Sequence, residues 1–208
     1  QYSRDKIDCE ELLTECYRKN NFPVTIVRPS HTYANGSIPF SFHGSKGIWT
    51  EVQRMLNGQP LIVHGDGQSL WTVTHSKDFA KGFVGLMGNI HAIGHAFHIT
   101  SDESLTWDQI YMCIGRALGV VPHIVHATTD FLVKMEPSLD GPLNGDKSCS
   151  VVFDNSKIKR WVPGFNADIR FDQGIVQSVE ALMQKPELQV FDPKWNAFID
   201  ELIARVDV

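Results

Sequence analysis

Phe22-Pro23-Val24-Thr25-Ile26-Val27-Arg28-Pro29-Ser30-His31-Thr32-Tyr33 is the stretch that decides how this chain folds. Residues 22–27 are apolar and β-branched with no charged interruption, which predicts a buried strand of the parallel type. Just upstream, residues 3–19 predict a helix. Ile7, Leu12, Leu13, Cys16 and Tyr17 form its apolar face. Acidic Asp5, Asp8, Glu10 and Glu11 come early and basic Arg18 and Lys19 late, as the helix dipole favours. A helix feeding a buried strand is an α/β pattern. In open α/β sheets, ligands bind at the C-terminal strand ends. Residues 28–33 occupy that end here.

Working outward, residues 34–47 predict a loop and 48–56 a helix closed by Asn57-Gly58. Short strands follow at 61–63 and 71–75, with a turn at His64-Gly65-Asp66-Gly67 between them. Residues 77–87 predict a helix and 96–100 another buried strand. Thr106 reads as an N-cap, with Gln109 completing a capping box on a helix that runs to Leu118. A strand at 120–125, a short helix at 128–135 and a long loop at 136–150 come next. Helical turns at 156–161 and closing helices at 171–184 and 193–205 finish the chain.

The charge balance narrows the function classes. The chain has 208 residues and a formal net charge of -5, and neither half is basic, which argues against a phosphate-tracking nucleic-acid surface. No apolar run approaches the length of a membrane span. Cys9, Cys16, Cys113 and Cys149 lack metal-binding spacing and read as reduced thiols, which predicts a cytoplasmic compartment. His91, His95 and His98 would share a face only on an unbroken helix, and Gly94 interrupts it, so no metal site is expected.

Tyr2 and Lys6 fall four residues apart at the head of the first helix, so a phenol and an ammonium share one face. A neighbouring positive charge favours the phenolate, which suits a tyrosine to proton transfer. On an isolated helix this pair is equally an exposed helix start.

Five stretches together resemble the extended short-chain dehydrogenase/reductases, the NAD-dependent epimerase/dehydratase family. They are Tyr2-x-x-x-Lys6; Arg28-Pro29-x-x-x-Tyr33, with Ala34 where the family has glycine; Gly58-x-Pro60 followed by Gly65-Asp66-Gly67-Gln68; His75-x-x-Asp78-x-Ala80; and Asp154-x-Ser156-Lys157 with Pro163-Gly164-Phe165 and Gly174-Ile175. The resemblance implies an α/β fold: the C-terminal part of a Rossmann-type, doubly wound parallel sheet plus a small α/β substrate-binding lobe. Residues 1–33 and 76–100 are the expected Rossmann segments, and 34–75 and 101–208 the expected lobe. The family's Gly-rich dinucleotide fingerprint and its catalytic Ser/Thr have no counterpart in these residues. The chain therefore reads as a truncated or proteolysed portion of such an enzyme, expected to bind NAD weakly by itself.

By that resemblance, Tyr2 is the catalytic acid/base and Lys6 its partner on the nicotinamide ribose. NAD or NADP would be touched by Tyr2, Lys6, Pro29, Ser30, His31 and Thr32. A small-molecule, sugar-like substrate carrying a hydroxyl or carbonyl would be touched by Ser30, Asn35, Trp71 and His75. Asp78 is expected to cap a helix. The family's phosphate-gripping arginines are missing: Trp71-Thr72 and Leu143-Asn144-Gly145-Asp146 stand in their places, which argues against a nucleotide-sugar substrate. A homodimer is expected. The alternative is a non-catalytic binding or scaffold protein of the same fold, associated with RNA.

Overall fold

The first strand does not stop at its proline. It bends at Ser30 and changes partners, and this bend organises the molecule. A computed structural model describes residues 1–206. Strand β1 (Ile26–Pro29) lies parallel to β6 (Ala96–Ile99), and β2 (His31–Tyr33) lies parallel to β5 (Val73–His75). A second parallel ladder joins β3 (Leu61–His64) to β8 (Ile124–Ala127), and a short antiparallel one joins β4 (Leu70–Trp71) to β7 (Leu105–Thr106).

The fork at Ser30 is held by side chains. The Ser30 hydroxyl lies 2.7 Å from that of Thr74 on β5. Thr74 Oγ1 in turn accepts from the backbone N–H of Ser101, beyond the end of β6, at 2.8 Å. Thr74 and Ser101 are buried. Three strand ends that diverge here are thereby tied at one point.

Helix α1 (Tyr2–Asn20) ends in a left-handed Asn21, whose N–H reaches back to Cys16 and Tyr17 carbonyls. Its predicted apolar face is not buried: no residue of α1 is fully enclosed, and Ile7 and Leu12 are more than half exposed. What holds α1 is one ion pair and one ring contact. The Glu10 carboxylate takes Arg28 Nε at 2.9 and 3.0 Å and also pairs with Nη2. The Tyr17 ring sits where a Cβ on Gly94 would be, at 2.3 Å, so only glycine fits.

The strand predicted at 22–27 begins later, at Ile26. Pro23 has no N–H to give. The Val24 carbonyl accepts from Gly94 N–H, and the Thr25 hydroxyl donates to the Ala92 carbonyl, so this segment serves a turn rather than a ladder. The strand predicted at 120–125 likewise begins at Ile124, because Pro122 packs against Gly115 instead of pairing. The predicted strand at 71–75 is split at Thr72. The predicted loop at 136–150 is wound into successive helical turns, including α6 (Asp140–Pro142) and a π-turn at Leu143–Lys147.

Other expectations hold in detail. Helix α2 is Trp49–Leu56, α3 is Ser76–Leu86 and α4 is Trp107–Leu118. Thr106 and Gln109 form the capping box of α4. Helix α5 is Thr129–Met135, α7 is Ser156–Trp161, α8 is Phe171–Met183 and α9 is Pro193–Val206. The main core lies where α2 and the α4–α8 pair cover the strands, around Trp107, Tyr111, Phe171 and Ile175. Gly174 on α8 lets Tyr33 reach this core: a Cβ there would stand 2.3 Å from the Tyr33 hydroxyl.

The family-like residues prove architectural. His75, not Asp78, caps α3, its Nδ1 accepting from Lys77 N–H at 3.2 Å. Asp78 is buried and takes Lys81 Nζ at 2.7 Å and the Ile169 N–H at 2.8 Å, tying α3 to the segment before α8. Lys157 on α7 donates to the Ala96 carbonyl at 2.8 Å.

Helix α9 docks on α2 through buried charge. Arg54 donates to the Pro60 carbonyl and to Asn196 Oδ1, and Glu51 accepts from Trp195 Nε1 at 2.6 Å. Burial pushes the Glu51 carboxyl up to about 7, against the lowering effect of the Trp195 bond and the Arg54 charge. A raised carboxyl favours folding at low pH. That contribution fades as pH climbs from the ordinary 4.5 towards about 7.

Two measurements check this architecture. Glu51→Gln is expected to match the wild type in urea unfolding at pH 5 and exceed it at pH 8, by on the order of 2 kcal/mol. A pH-independent difference would refute the assignment. Gly174→Ala is expected to lower stability by about 1–3 kcal/mol through overpacking against Tyr33, despite alanine's better helix propensity. An unchanged Tm would show that Tyr33 can yield.

Candidate functional site

At the bend after β1, one cleft of about 280 Å³ collects Tyr2, Pro29, Ser30, His31, Trp71, Thr72, Asp146, Val151 and Phe153. Each side arrives for a local reason. Tyr2 heads α1, with the Lys6 ammonium 5.5 Å from the centre of its ring, as four-residue helical spacing dictates. Pro29 and Ser30 lie at the C-terminal end of β1, held by the Thr74 bond.

The far wall comes from residues 151–153, which the sequence reading assigned to no element. Val151 N–H donates to the Leu70 carbonyl at 2.9 Å, and the Thr72 hydroxyl donates to the Val151 carbonyl at 3.0 Å. Buried Asn155 then locks this segment to the end of β6: its Nδ2 donates to the Thr100 carbonyl at 2.8 Å and its Oδ1 accepts from the Thr100 hydroxyl at 3.1 Å. Val151 and Phe153 are thus fixed on the cleft. Asp146 is delivered by the π-turn, whose Lys147 carbonyl accepts from the Ser69 hydroxyl at 2.9 Å and contacts His64 Nε2 at 3.0 Å.

The electrostatics are weak on the strand side. Burial pushes the His31 imidazole down to about 4, with the nearby Lys147 and His43 charges adding to the effect, so it is neutral at pH 7. Burial pushes the Asp146 carboxyl up, partly offset by Lys147. The Lys147 ammonium lies 3.7 Å from Asp146 Oδ2 and 6.0 Å from the Trp71 ring centre.

Of the residues singled out in the sequence, Tyr2, Pro29, Ser30, His31 and Trp71 meet in this cleft, and Lys6 stands beside it. Three others do not line it. Thr32 is exposed on β2. Asn35 lies on a turn with φ 50°, exposed, its carbonyl facing Lys185 Nζ at 3.4 Å. His75 is buried, used up by the α3 cap and an edge-on contact with the Tyr33 ring at 5.3 Å. The proposed substrate roles of Asn35 and His75 are therefore not supported by their positions. Thr72, Asp146, Val151 and Phe153 were not singled out as site residues. Asp146 carried a signal, since its Asn144-Gly145-Asp146 run stands where the family has a substrate-binding stretch. Phe153 carried none.

Among the described residues, no three His, Cys, Asp or Glu side chains gather as metal ligands. His95 packs its ring on Trp161 and His98 on Phe153. No helix among the described residues is long and apolar enough to cross a membrane.

Residues 1–100 match the sequence model of the NAD dependent epimerase/dehydratase family. The fold agrees with it over more of the chain. The dTDP-glucose 4,6-dehydratase of Bacillus anthracis, solved in complex with NAD, superposes with a TM-score of 0.68 at 18% identity, covering 90% of this chain and 53% of that one. The UDP-glucuronic acid 4-epimerase of Bacillus cereus, solved with UDP-glucuronic acid and NAD, gives 0.69 at 19%, covering 88% and 52%. The architecture is the α/β, Rossmann-type fold of these epimerases and dehydratases.

Among curated proteins, a 2'-dehydrokanamycin reductase of Streptomyces kanamyceticus is 25% identical over 119 residues, which is 57% of this chain and 33% of that protein. A chloroplast stem-loop binding protein of 41 kDa from Arabidopsis thaliana is 26% identical over 124 residues, 59% of this chain and 30% of that protein. The chain spans about a third of the length of these relatives and about half that of the solved chains.

The state of His31 can be read directly. In an NMR titration its ring is expected to change protonation near pH 4. A midpoint at the ordinary 6.5 would mean that the cleft is wetter than its geometry implies.

Proposed function

We propose that this chain carries the proton-transfer and substrate side of an NAD(P)-dependent oxidoreductase of the extended short-chain type, acting as an epimerase, dehydratase or reductase on a hydroxyl or carbonyl compound. One observation carries the reading: Tyr2 at the head of α1 and the C-terminal end of β1 line one cleft, with Lys6 beside Tyr2. Residues 1–33 and 76–100 supply the cofactor-facing side, and 34–75 and 101–208 the substrate-facing side.

The residues present fit the nicotinamide end of such a cofactor. Pro29 and Ser30 line the cleft beside Tyr2, and Lys6 stands over the Tyr2 ring. No Gly-rich fingerprint occurs in the sequence, so these residues would not hold the pyrophosphate. A bound nicotinamide would supply hydride acceptance and donation. The protein's own share is proton movement and positioning. Tyr2 Oη takes the proton from a substrate hydroxyl as it becomes a carbonyl, and returns it in the reverse direction. The Lys6 ammonium steadies negative charge on that oxygen. Val151, Phe153 and Trp71 wall off water on the other side.

A second reading rests on the stem-loop binding relative, which matches about as well as the reductase. On that reading the cleft is a relic and a surface binds RNA. The formal charge of -5 weighs against it.

The deciding experiment follows NAD(P)H consumption over a panel of keto sugars and other carbonyl compounds, with gel-shift binding of a stem-loop RNA run in parallel. Tyr2→Phe is expected to lower kcat about 10²–10⁴-fold with little change in KM. Full turnover in Tyr2→Phe would defeat the proposed role of Tyr2. Tight RNA binding with no turnover on any carbonyl would favour the second reading.

A further inference from the structure

We propose that Glu51 makes the docking of α9 on α2 a pH-sensitive latch, closed in acid and loosened towards neutral pH, and that its release loosens the packing under the π-turn that brings Asp146 to the cleft. The latch does not depend on which reaction the cleft performs.

The geometry of the joint carries it. Glu51 is only 3% exposed, and its two oxygens are served unequally. Oε1 accepts from Trp195 Nε1 at 2.6 Å, whereas Oε2 is buried with no hydrogen-bond partner among the described residues. The Trp195 ring is seated directly on the Gly44 backbone, where a Cβ would stand 2.7 Å from its Cγ, which closes that side of the joint.

The surrounding charges do not call for another anion. Arg54, on α2 itself, is fully buried, and its Nη2 stands 2.7 Å from Asp200 Oδ1 on α9, an ionic contact without hydrogen-bond alignment. Its Nε and Nη1 are taken by the Pro60 carbonyl and Asn196 Oδ1. Asp192 caps α9, with Lys46 Nζ 3.9 Å away. Burial pushes the Tyr111 hydroxyl of α4 far up, so it stays neutral, bonded to Ser41. The His43 ring contacts the Gly44 carbonyl at 2.8 Å. With Arg54 already matched, a Glu51 carboxylate adds a buried charge that nothing fully balances. Arg54 and the nearby backbone N–H groups of Gly44 and Glu51 ease that cost without removing it.

The neutral acid is therefore the docked form. Once α9 lifts, the carboxyl meets water and ionises as an ordinary glutamate. Undocking thus releases a proton. Rising pH favours it between the ordinary 4.5 and about 7, and above that both forms are ionised and nothing further is lost. The effect reaches beyond the joint because Trp195 and Leu202 share an apolar cluster with Leu143, the first residue of the π-turn.

The test is hydrogen exchange of the 208-residue chain read by mass spectrometry, as protection factors, which divide out the intrinsic pH dependence of exchange. Protection of α9, residues 193–206, is expected to fall roughly tenfold or more between pH 5 and pH 7.5 and then to level off. At pH 7.5 it is expected to lie about tenfold or more below that of α4, residues 107–118, because α9 opens without the rest of the molecule. Residues 143–147 are expected to lose protection alongside α9. Glu51→Gln is expected to abolish the fall, and Asp200→Asn, which leaves Arg54 free to balance Glu51, to shrink it. Flat protection in the wild type, α9 and α4 equally protected at pH 7.5, or an undiminished fall in either variant would each overturn the latch. Protection of residues 143–147 that holds while α9 opens would overturn its link to the cleft.

Discussion

The Thr74 hydroxyl joins Ser30 to Ser101, and the remainder of the structure is arranged around that junction. A parallel strand that changes partner mid-course leaves backbone groups at the change with nothing to pair with. Here the change falls at Ser30, where β1 leaves β6 and β2 joins β5. One buried hydroxyl, acting between a serine side chain and a backbone N–H, closes the gap. The cleft opens at the same place because diverging strands leave room there. This is the physical content of the rule that ligands bind where α/β strand order splits.

Once the fork is fixed, the cleft needs an opposite wall, and the chain supplies it from far away in sequence. The Asn155 amide clamps residues 151–155 to the end of β6, while Leu70 and Thr72 hold their upstream end. Both anchors include hydrogen bonds to backbone, and the His98 ring packs edge-on against Phe153 between them. The cleft is consequently anchored on the Phe153 side at both ends of the wall.

Much of this was legible in the sequence. The capping box of Thr106 and Gln109, the short helices after Thr128 and Ser156, and the parallel α/β class follow from local rules that tertiary structure did not override. The misplaced strands share one cause. Residues 22–25 and 120–123 looked like strand, but Pro23 and Pro122 have no N–H to give to a ladder; the Val24 carbonyl serves Gly94, and Pro122 packs against Gly115. Site residues near the resembling motifs were findable. Phe153 was not, since its place depends on Asn155 meeting Thr100 across 55 residues. His75 misled for the opposite reason: a motif residue beside the fork turned out to be a helix cap. The exposure of Ile7 and Leu12 on α1 was invisible too, because periodicity reports which residues share a face but not whether anything covers it.

Helix α1 behaves as a lever. Among the described residues its anchors are Tyr17 on Gly94 and Glu10 on Arg28, and Tyr2 lies about two turns beyond the second. At 1.5 Å per residue the phenol lies roughly 22 Å from the Tyr17 anchor and roughly 12 Å from Glu10. A tilt of about 5° about the far anchor alone would swing the Tyr2 end by roughly 2 Å, enough by the usual sensitivity of proton transfer to undo a reactive alignment. The ion pair between Glu10 and Arg28 shortens the arm by nearly half. A surface contact of little value to stability thereby sets how far the Tyr2 wall of the cleft can tilt.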